Sequence, residues 1–353
     1  MAVIDVIIPV YNTAREVLGR SLGSVRRQSF VDWRAIVVDD GSRSETAEYL
    51  DSTASEDPRF LVIHQKNAGA SAARNRGLDE STSPYVSFVD SDDELSVDFF
   101  QDAIRELEAH GADLYVAGIQ LAQDHTIVRT RQAREGVHVL SGEEDMRPVL
   151  DYAISSLPRR ADSVLGSAWM ARLCPKVFRR EIACRFRLNT GVRISEDSLF
   201  AFETYTECQT IVVDSKIGYT VNLVPNSLSR DKDPKRTFDD QQDLLAAFSA
   251  DRDRWTGLGF ADAYRIRLLM IFLTMHKAIA QMTPSPGERY RRYRTLLQTD
   301  AFREDLPRID LSAYVKAAPG RVTRHKRVMS AILKLPGFLR TAGVWLDSLF
   351  YGK

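Results

Sequence analysis

Short apolar runs rich in Val and Ile recur at residues 3–10, 35–38, 60–63, 85–89 and 114–117, and stretches with helical periodicity fill the gaps at 16–28, 45–51, 71–80 and 97–110. Runs that are apolar throughout, rather than at every second position, belong to strands covered on both faces. Helices packed on both sides of a sheet supply that cover, and strands joined through helices run parallel. The fold class that follows is α/β, with a doubly wound, mostly parallel, Rossmann-like sheet. Such sheets bind ligands beyond the carboxyl ends of their strands, which directs attention to the residues following each run.

The alternation weakens after residue 118. Residues 119–232 carry a hairpin expected around 127–140, a helix opened by a Ser141/Glu144 capping box and a strand pair near 211–221. They read as the far half of the same domain. From 233 onward the pattern is helical, with stretches at 238–248, 260–282, 287–298 and 325–351 and a break at Thr283-Pro284-Ser285-Pro286-Gly287. The expected organisation is one domain over 1–232 and a helical C-terminal region over 233–353, without internal repeats. A chain of 353 residues is long enough for both.

Charge and cysteine content narrow the function. Forty-eight basic and 48 acidic side chains cancel, which argues against a general electrostatic nucleic-acid binder. The balance is uneven, because residues 321–353 hold seven Lys/Arg against Asp347, leaving 41 basic and 47 acidic side chains in 1–320. Arg321, Arg324, Lys326 and Arg327, with Leu333, Phe338, Trp345, Leu349 and Phe350, suit peripheral contact with an anionic membrane. They suit equally a helix packed on its own domain with a solvated basic face, or one that joins copies into a homo-oligomer. Cys174, Cys184 and Cys208 form no CxxC pair and suit reduced, buried thiols better than a disulfide framework. No uncharged apolar run reaches about 18 residues, and the start of the chain does not read as a signal peptide. The expected location is cytoplasmic, at the inner face of the cell membrane if the tail binds lipid.

Three strand ends carry residues suited to chemistry: Pro9-Val10-Tyr11-Asn12, Asp39-Asp40-Gly41-Ser42 and Asp90-Ser91-Asp92-Asp93. Any one of them is equally an ordinary cap or turn. Together they set an aromatic ring and several carboxylates around one crevice. In Asp90-Ser91-Asp92 an extended backbone sends residues i and i+2 to the same side, so both carboxylates can face one point. That suits Mg2+ or Mn2+ shared with water and the diphosphate of a nucleotide. The small residues of Asn67-Ala68-Gly69-Ala70-Ser71 open a helix that can present amides and Arg74 to an anion, unless Arg74 is a structural ion-pair partner. No GxGxxG follows the first strand, GxxxxGK[ST] and HExxH are absent, and the GxSxG match at Gly19–Gly23 falls inside the helical stretch 16–28 and makes no strand-to-helix elbow, so dinucleotide, P-loop, zinc-hydrolase and serine-hydrolase chemistry have no support. His64, His110, His125, His138, His276 and His325 show no paired-ligand spacing and default to surface or structural roles.

Taken in order, VIIPVYN, VVDDGS, NAGASAARNRG and FVDSDD closely resemble the inverting family 2 glycosyltransferases of the GT-A fold, of the bacterial cell-surface polysaccharide and teichoic-acid type. The resemblance is specific over 3–100, weaker to about 230, and does not cover the helical tail. It implies transfer of a sugar from a UDP-sugar to a hydroxyl of a glycan, polyol-phosphate or lipid-linked acceptor, with inversion and with Mn2+ or Mg2+. Residues 1–118 would be the nucleotide-sugar half of the GT-A domain and 119–232 the acceptor half. The resemblance implies that Pro9, Val10, Tyr11 and Asn12 line the base, with Tyr11 stacking on it, and that Asp40 or else Asp39 accepts a hydrogen bond from uracil. Asn67, Gly69 and Arg74 would complete that pocket. Asp90, Ser91 and Asp92 would bracket ribose, diphosphate and metal, Asp92 being the direct ligand and Asp90 its companion.

Inverting transfer needs a base on the face opposite the leaving diphosphate. Ser195-Glu196-Asp197-Ser198-Leu199-Phe200 resembles the family's E-D motif, which implies Asp197 as base and Glu196 as its neighbour. As bare sequence, S-E-D is also a helix N-terminus whose dipole lowers a carboxylate's pKa, so a base there needs burial or the Glu196 charge to raise it. Pro225-Asn226-Ser227-Leu228-Ser229-Arg230 resembles a loop that closes over the diphosphate, with Arg230 or Lys232 neutralising the departing UDP. Trp169 and Lys176 lie where relatives contact acceptor sugars, or else are a core Trp and a surface Lys. Two other functions stand beside this one. A sugar-nucleotide nucleotidyltransferase is disfavoured because the first strand ends in PVYN rather than a Gly- and Arg-rich loop, and a non-catalytic carbohydrate-binding protein because Asp90, Asp92 and Asp197 are all intact. A processive synthase is disfavoured because Asp251 stands where the Gln of Q-x-x-R-W would precede Arg254-Trp255.

Overall fold

The computed structural model describes residues 2–155, 170–223, 233–312, 324–335, 340, 341, 343, 344 and 347. These residues form two compact units. One holds 2–153, 170–190 and 196–223, and the other holds 154, 155, 191–195 and the described residues from 233 onward.

The first unit is built on one sheet. Its strands β1 (Ile4–Val10), β2 (Trp33–Asp39), β3 (Phe60–His64) and β4 (Tyr85–Phe88) lie in the order β3-β2-β1-β4 and run parallel. Helices α1 (Arg15–Arg26), α2 (Ser44–Glu56) and α3 (Ala70–Glu80) join them, as the alternation of apolar runs requires. Every β1 residue except Pro9 is buried. The buried acid among them, Asp5, is held by the Arg34 guanidinium at 2.9 and 3.1 Å and by the amides of Thr82 and Ser83. Helix α3 packs so closely on β1 that a Cβ at Gly77 would stand 2.4 Å from Ile7 Cγ2. A residue without a side chain is needed there.

The far half contains β5 (Glu94–Leu95), β6 (Leu114–Gln123), β7 (Thr126–Arg131), β8 (Val137–Ser141), β9 (Lys176–Arg179) and β10 (Thr210–Asn222). Its helices are α4 (Phe99–His110), α5 (Gly142–Ser155), α6 (Arg180–Ala183) and α7 (Glu196–Glu207). The sheet continues from β4 through β9, β6 and β10 to β5. Strand β9 is antiparallel to both neighbours, with Val177 opposite Ser87 and Lys176 opposite Val116.

Two sequence expectations are corrected here. The hairpin is β6–β7, turned at Asp124-His125 with both residues at positive φ (47° and 62°), whereas β8 pairs with β10. Without a Gly, that two-residue turn carries no local signal. The expected strand pair near 211–221 is the single strand β10, whose register against β6 shifts between Val213 and Tyr219. At the start of α5, the Ser141 amide donates to Asp145 Oδ2 at 3.3 Å.

The second unit is helical: α8 (Pro234–Ala250), α9 (Arg252–Gly257), α10 (Ala261–Met282), α11 (Pro286–Leu296), a π-turn at Ala301–Asp305, a 3-10 turn at Leu306–Arg308 and α12 (Arg324–Leu333). Asp233 caps α8 by accepting from the Lys235 and Arg236 amides, and Ser285 caps α11. Helix α10 is buried on several sides and carries His276, whose Nε2 lies 2.9 Å from Asp347 Oδ2. In the basic tail, Met329, Leu333 and Val344 are buried. Arg321, Phe338, Trp345, Leu349 and Phe350 lie outside the described residues. Among the described residues no helix is long and apolar enough to cross a membrane.

Candidate active site

Loops after β1 and β2 meet the start of α3. Asn12 at φ +51° and Gly41 at φ +76° turn the first two loops toward each other. Ser42 Oγ accepts the Asn12 amide at 2.9 Å, and Asn12 Oδ1 accepts the Arg43 amide at 2.9 Å. Tyr11, the residue between β1 and Asn12, is 55% exposed, so its ring is available for stacking. Val10 is buried opposite Asp39, and Pro9 is half-buried opposite Val38.

Both acids at the end of β2 are buried and hydrogen-bonded within the protein. Asp40 accepts from Gln65 Nε2 and the Ala68 amide on one oxygen and from the Gly69 amide on the other. Its carbonyl accepts from Asn67 Nδ2. The Ala68 and Gly69 amides ahead of α3, which an anionic ligand could have used, are therefore engaged by Asp40. Asp39 accepts the Ser42 amide on Oδ1 and faces His64 through Oδ2.

The strand-end acids after β4 are tied to three other elements. The Asp90 amide donates to the Tyr219 hydroxyl on β10 at 3.0 Å, and its carbonyl accepts from Ser21 Oγ of α1. Ser91 Oγ and Thr13 Oγ1 are 2.7 Å apart, joining this loop to the one after β1. Arg74 of α3 is nearly buried and donates to Asp90 Oδ1 at 2.7 Å and to Glu196 Oε1 at 3.2 Å. Its burial opposes the charged form, but Asp90 and Glu196 outweigh that and hold it protonated. Burial, then the neighbouring Asp197 charge, pushes Glu196 up to about 7 against the pull of Arg74.

Arg74, Asp90, Asp197, Tyr219, Arg172 and Cys174 line one cleft. The fold thus brings the aspartate after β4 and the aspartate opening α7 to a common space, though 107 positions separate them. Tyr11 and Asp92 are not in its lining. Arg172 and Tyr219 had no local sequence signal, for one follows a turn and the other lies in a strand.

Among the described residues no three His, Cys, Asp or Glu side chains are set to hold a metal ion by themselves. Burial and the Asp90 charge push Asp92 up to about 6, and no ion pair with a described residue neutralises its carboxylate. Such a carboxylate fits a divalent cation whose remaining ligands come from outside the protein, as Mg2+ and Mn2+ on diphosphates do. Asp93 is also pushed well up by burial and by Asp90, and its Oδ1 accepts the Asn222 amide.

Lys176, one of whose two sequence readings was a surface lysine, is completely buried on β9, with its ammonium donating to the Arg172 carbonyl. Burial pushes it down to about 7 despite the nearby Asp197. Its folded pKa lies below the unfolded one, so between about pH 7 and about pH 10 the unfolded chain holds more protons and stability rises with pH. Lys176→Met is expected to remove that rise and to gain about 2 kcal/mol at neutral pH. Urea denaturation of both proteins across this range measures it, and parallel pH curves would contradict the assignment. Cys174 and Cys208 are buried, Cys184 is half-buried, and all three are free thiols. Trp169, Arg230 and Lys232 lie outside the described residues.

Residues 5–183 match the family model described as Glycosyl transferase family 2. The chain is 28% identical over 228 residues to the uncharacterized glycosyltransferase EpsJ of Bacillus subtilis, a match spanning 64% of this chain and 62% of that relative. S. aureus TarS 1-349 in complex with UDP-GlcNAc shares the fold with a TM-score of 0.66 at 17% identity, over 100% of this chain and 92% of that one. The mannosyltransferase PcManGT from Pyrobaculum calidifontis, in complex with GDP-Man and Mn2+, follows at a TM-score of 0.50 and 16% identity, over 99% and 88%. Strand-end acids, a parallel sheet half and a match running over half the sequence lead to one assignment: the chain belongs to glycosyl transferase family 2 and has the GT-A fold.

Proposed function

We propose that this chain transfers a sugar from a UDP-sugar to a hydroxyl acceptor with inversion, assisted by Mn2+ or Mg2+. The observation that carries the reading is the shared cleft of Asp90, Arg74 and Asp197. Asp90 and Asp92 would hold the diphosphate through the cation, with Asp92 as the direct ligand. A bound cation would neutralise charge that builds on the departing diphosphate. Arg172 lines the same cleft without an ion pair to a described residue and would add a second positive charge there. Asp197 would take the proton of the attacking hydroxyl, and the Arg74 bridge would keep Glu196 beside it.

Exposed Tyr11 would stack on the uracil, with Pro9, Val10 and Asn12 shaping the pocket and Asn67 and Gly69 closing it. Asp40 would act mainly by holding the loop of residues 65–69, leaving the base to backbone groups of that loop. A glycan, polyol-phosphate or lipid-linked hydroxyl is the acceptor class this reading favours, in the synthesis of a cell-surface polymer. UDP-GlcNAc in TarS and Mn2+ in PcManGT support the donor and metal classes.

A thermal-shift series with UDP, UDP-sugars and other nucleotide sugars, each with and without Mn2+, tests the reading. At about a hundredfold excess over Kd, UDP is expected to add about 2.7 kcal/mol of stability, and only with metal present. A series in which no uridine nucleotide moves the melting temperature would sink the proposal.

A further inference from the structure

A line of polar contacts runs from the surface to the loop that bears Tyr11. His64, at the end of β3, stands between two acids: Nδ1 is 2.7 Å from Asp39 Oδ2 on β2, and Nε2 is 3.0 Å from Asp51 Oδ1 on α2. The Asp39 side chain is 3% exposed and that of Asp51 is 65% exposed. The other Asp39 oxygen accepts the Ser42 amide at 3.0 Å, and Ser42 Oγ accepts the Asn12 amide at 2.9 Å. Asn12 holds a positive φ of 51°, a conformation that a residue with a side chain keeps where its surroundings impose it.

We propose that His64 is a positioning residue for the nucleotide-base pocket: its protonated ring, bridging Asp51 and Asp39, fixes the Asp39–Ser42–Asn12 contacts that hold the Tyr11 loop in its binding shape. The proposal rests on the nucleotide-sugar reading above. Asp39 from β2 and Asp51 from α2 are the charged groups acting on the ring, and the hydrogen bonds to both raise its pKa against the opposing effect of burial. A protonated imidazole donates from both nitrogens, whereas a neutral one donates from one and turns a lone pair on the other acid. Exposed Asp51 can turn to water and buried Asp39 cannot, so the neutral ring keeps Asp39 and loses its outer anchor. The bond to Asp39 then also loses the positive charge of its donor. Donor affinity is therefore greatest below the raised His64 pKa and falls as pH rises through it. By reciprocity, a bound uridine nucleotide raises that pKa by the same factor.

Isothermal titration with UDP, with and without Mn2+, over about pH 6 to about pH 8.5 tests this on three full-length proteins: wild type, His64→Gln and Asp51→Asn. The wild-type Kd is expected to weaken about fivefold over that range, which corresponds to about one hydrogen bond. His64→Gln should bind about fivefold more weakly than wild type at the acid end and lose the extra pH dependence. Ionisation of UDP itself is common to all three proteins and cancels in their ratios. Asp51→Asn changes an exposed side chain, so the fold is retained, and the fall should move to lower pH. The His64 ring resonances, followed by NMR, should titrate lower in Asp51→Asn and higher when UDP is added. Identical pH profiles for wild type and His64→Gln, or an unmoved profile in Asp51→Asn, would overturn the positioning role alone. Failure of the wild type to bind UDP at any pH, with or without Mn2+, would overturn the nucleotide reading and this role with it.

Discussion

Asp197→Asn is expected to lower kcat by about a hundred- to ten-thousand-fold while the affinity for UDP stays within a factor of about two. The asymmetry follows from position. Asp197 stands in the first turn of α7 and lines the cleft, away from the loops after β1 and β2, so on the proposed reading the substitution would remove the proton acceptor without touching the base pocket. Asn has nearly the same shape, and folding should be unaffected. Glu196 is the control, because its carboxyl is turned to Arg74 and pushed up to about 7. Glu196→Gln should cost less than Asp197→Asn in a UDP-release assay with a hydroxyl acceptor. If Glu196→Gln abolished turnover and Asp197→Asn left it near wild type, the two roles would be exchanged.

Arg74→Met should damage both stability and donor binding. The guanidinium spans Asp90 and Glu196, whose side chains are 39% and 14% exposed. Removing it strands a buried negative charge at Glu196, a defect of about 3 kcal/mol after allowance for the solvent available to Asp90. The folded pKa of Glu196 already lies above its unfolded value. Native protein therefore holds more protons between the two, and stability from this group falls as pH rises through that window. Without Arg74 the window widens, so the loss should be larger near pH 8 than near pH 5. Arg74→Lys keeps the charge but not the fork that reaches both acids, and is expected to restore stability in part and donor affinity little. Equal losses at the two pH values in urea titrations would show that the bridge is not what holds Glu196.

The first 110 residues were legible because their elements are local. Doubly covered strands read as unbroken apolar runs, and β1, β2, β3 and β4 appear within about two residues of the expected ends. Later elements were less so for stated reasons. Strand β9 is four residues long, follows Pro175 and is defined by the neighbours it is wedged between. The β6–β7 turn uses Asp124 and His125 at positive φ, and β10 reads as two strands because its register slips midway. Hydrophobic pattern identifies a strand but not its partner.

In the site, residue types and strand-end positions pointed to Asp90 and Asp92 and a helix start pointed to Arg74, whereas Glu196 and Asp197 came from the resemblance to the family's E-D motif. The electrostatic partnerships were not readable. Nothing near residue 74 announces Glu196, and nothing in the strand around Tyr219 announces the Asp90 amide. Lys176 looked equally suited to the surface until its strand was placed inside the sheet.

Composition and periodicity by themselves determined that this chain folds as helices around a parallel sheet, with acids and an aromatic ring at the strand ends, because those properties depend on neighbours within a few positions along the chain. Tertiary structure alone decided which acid pairs with Arg74, which makes no ion pair with a described residue, which faces a cleft and which is engaged by backbone amides. Those outcomes depend on burial and on charges that folding brings together from over a hundred residues away, and no local pattern encodes them.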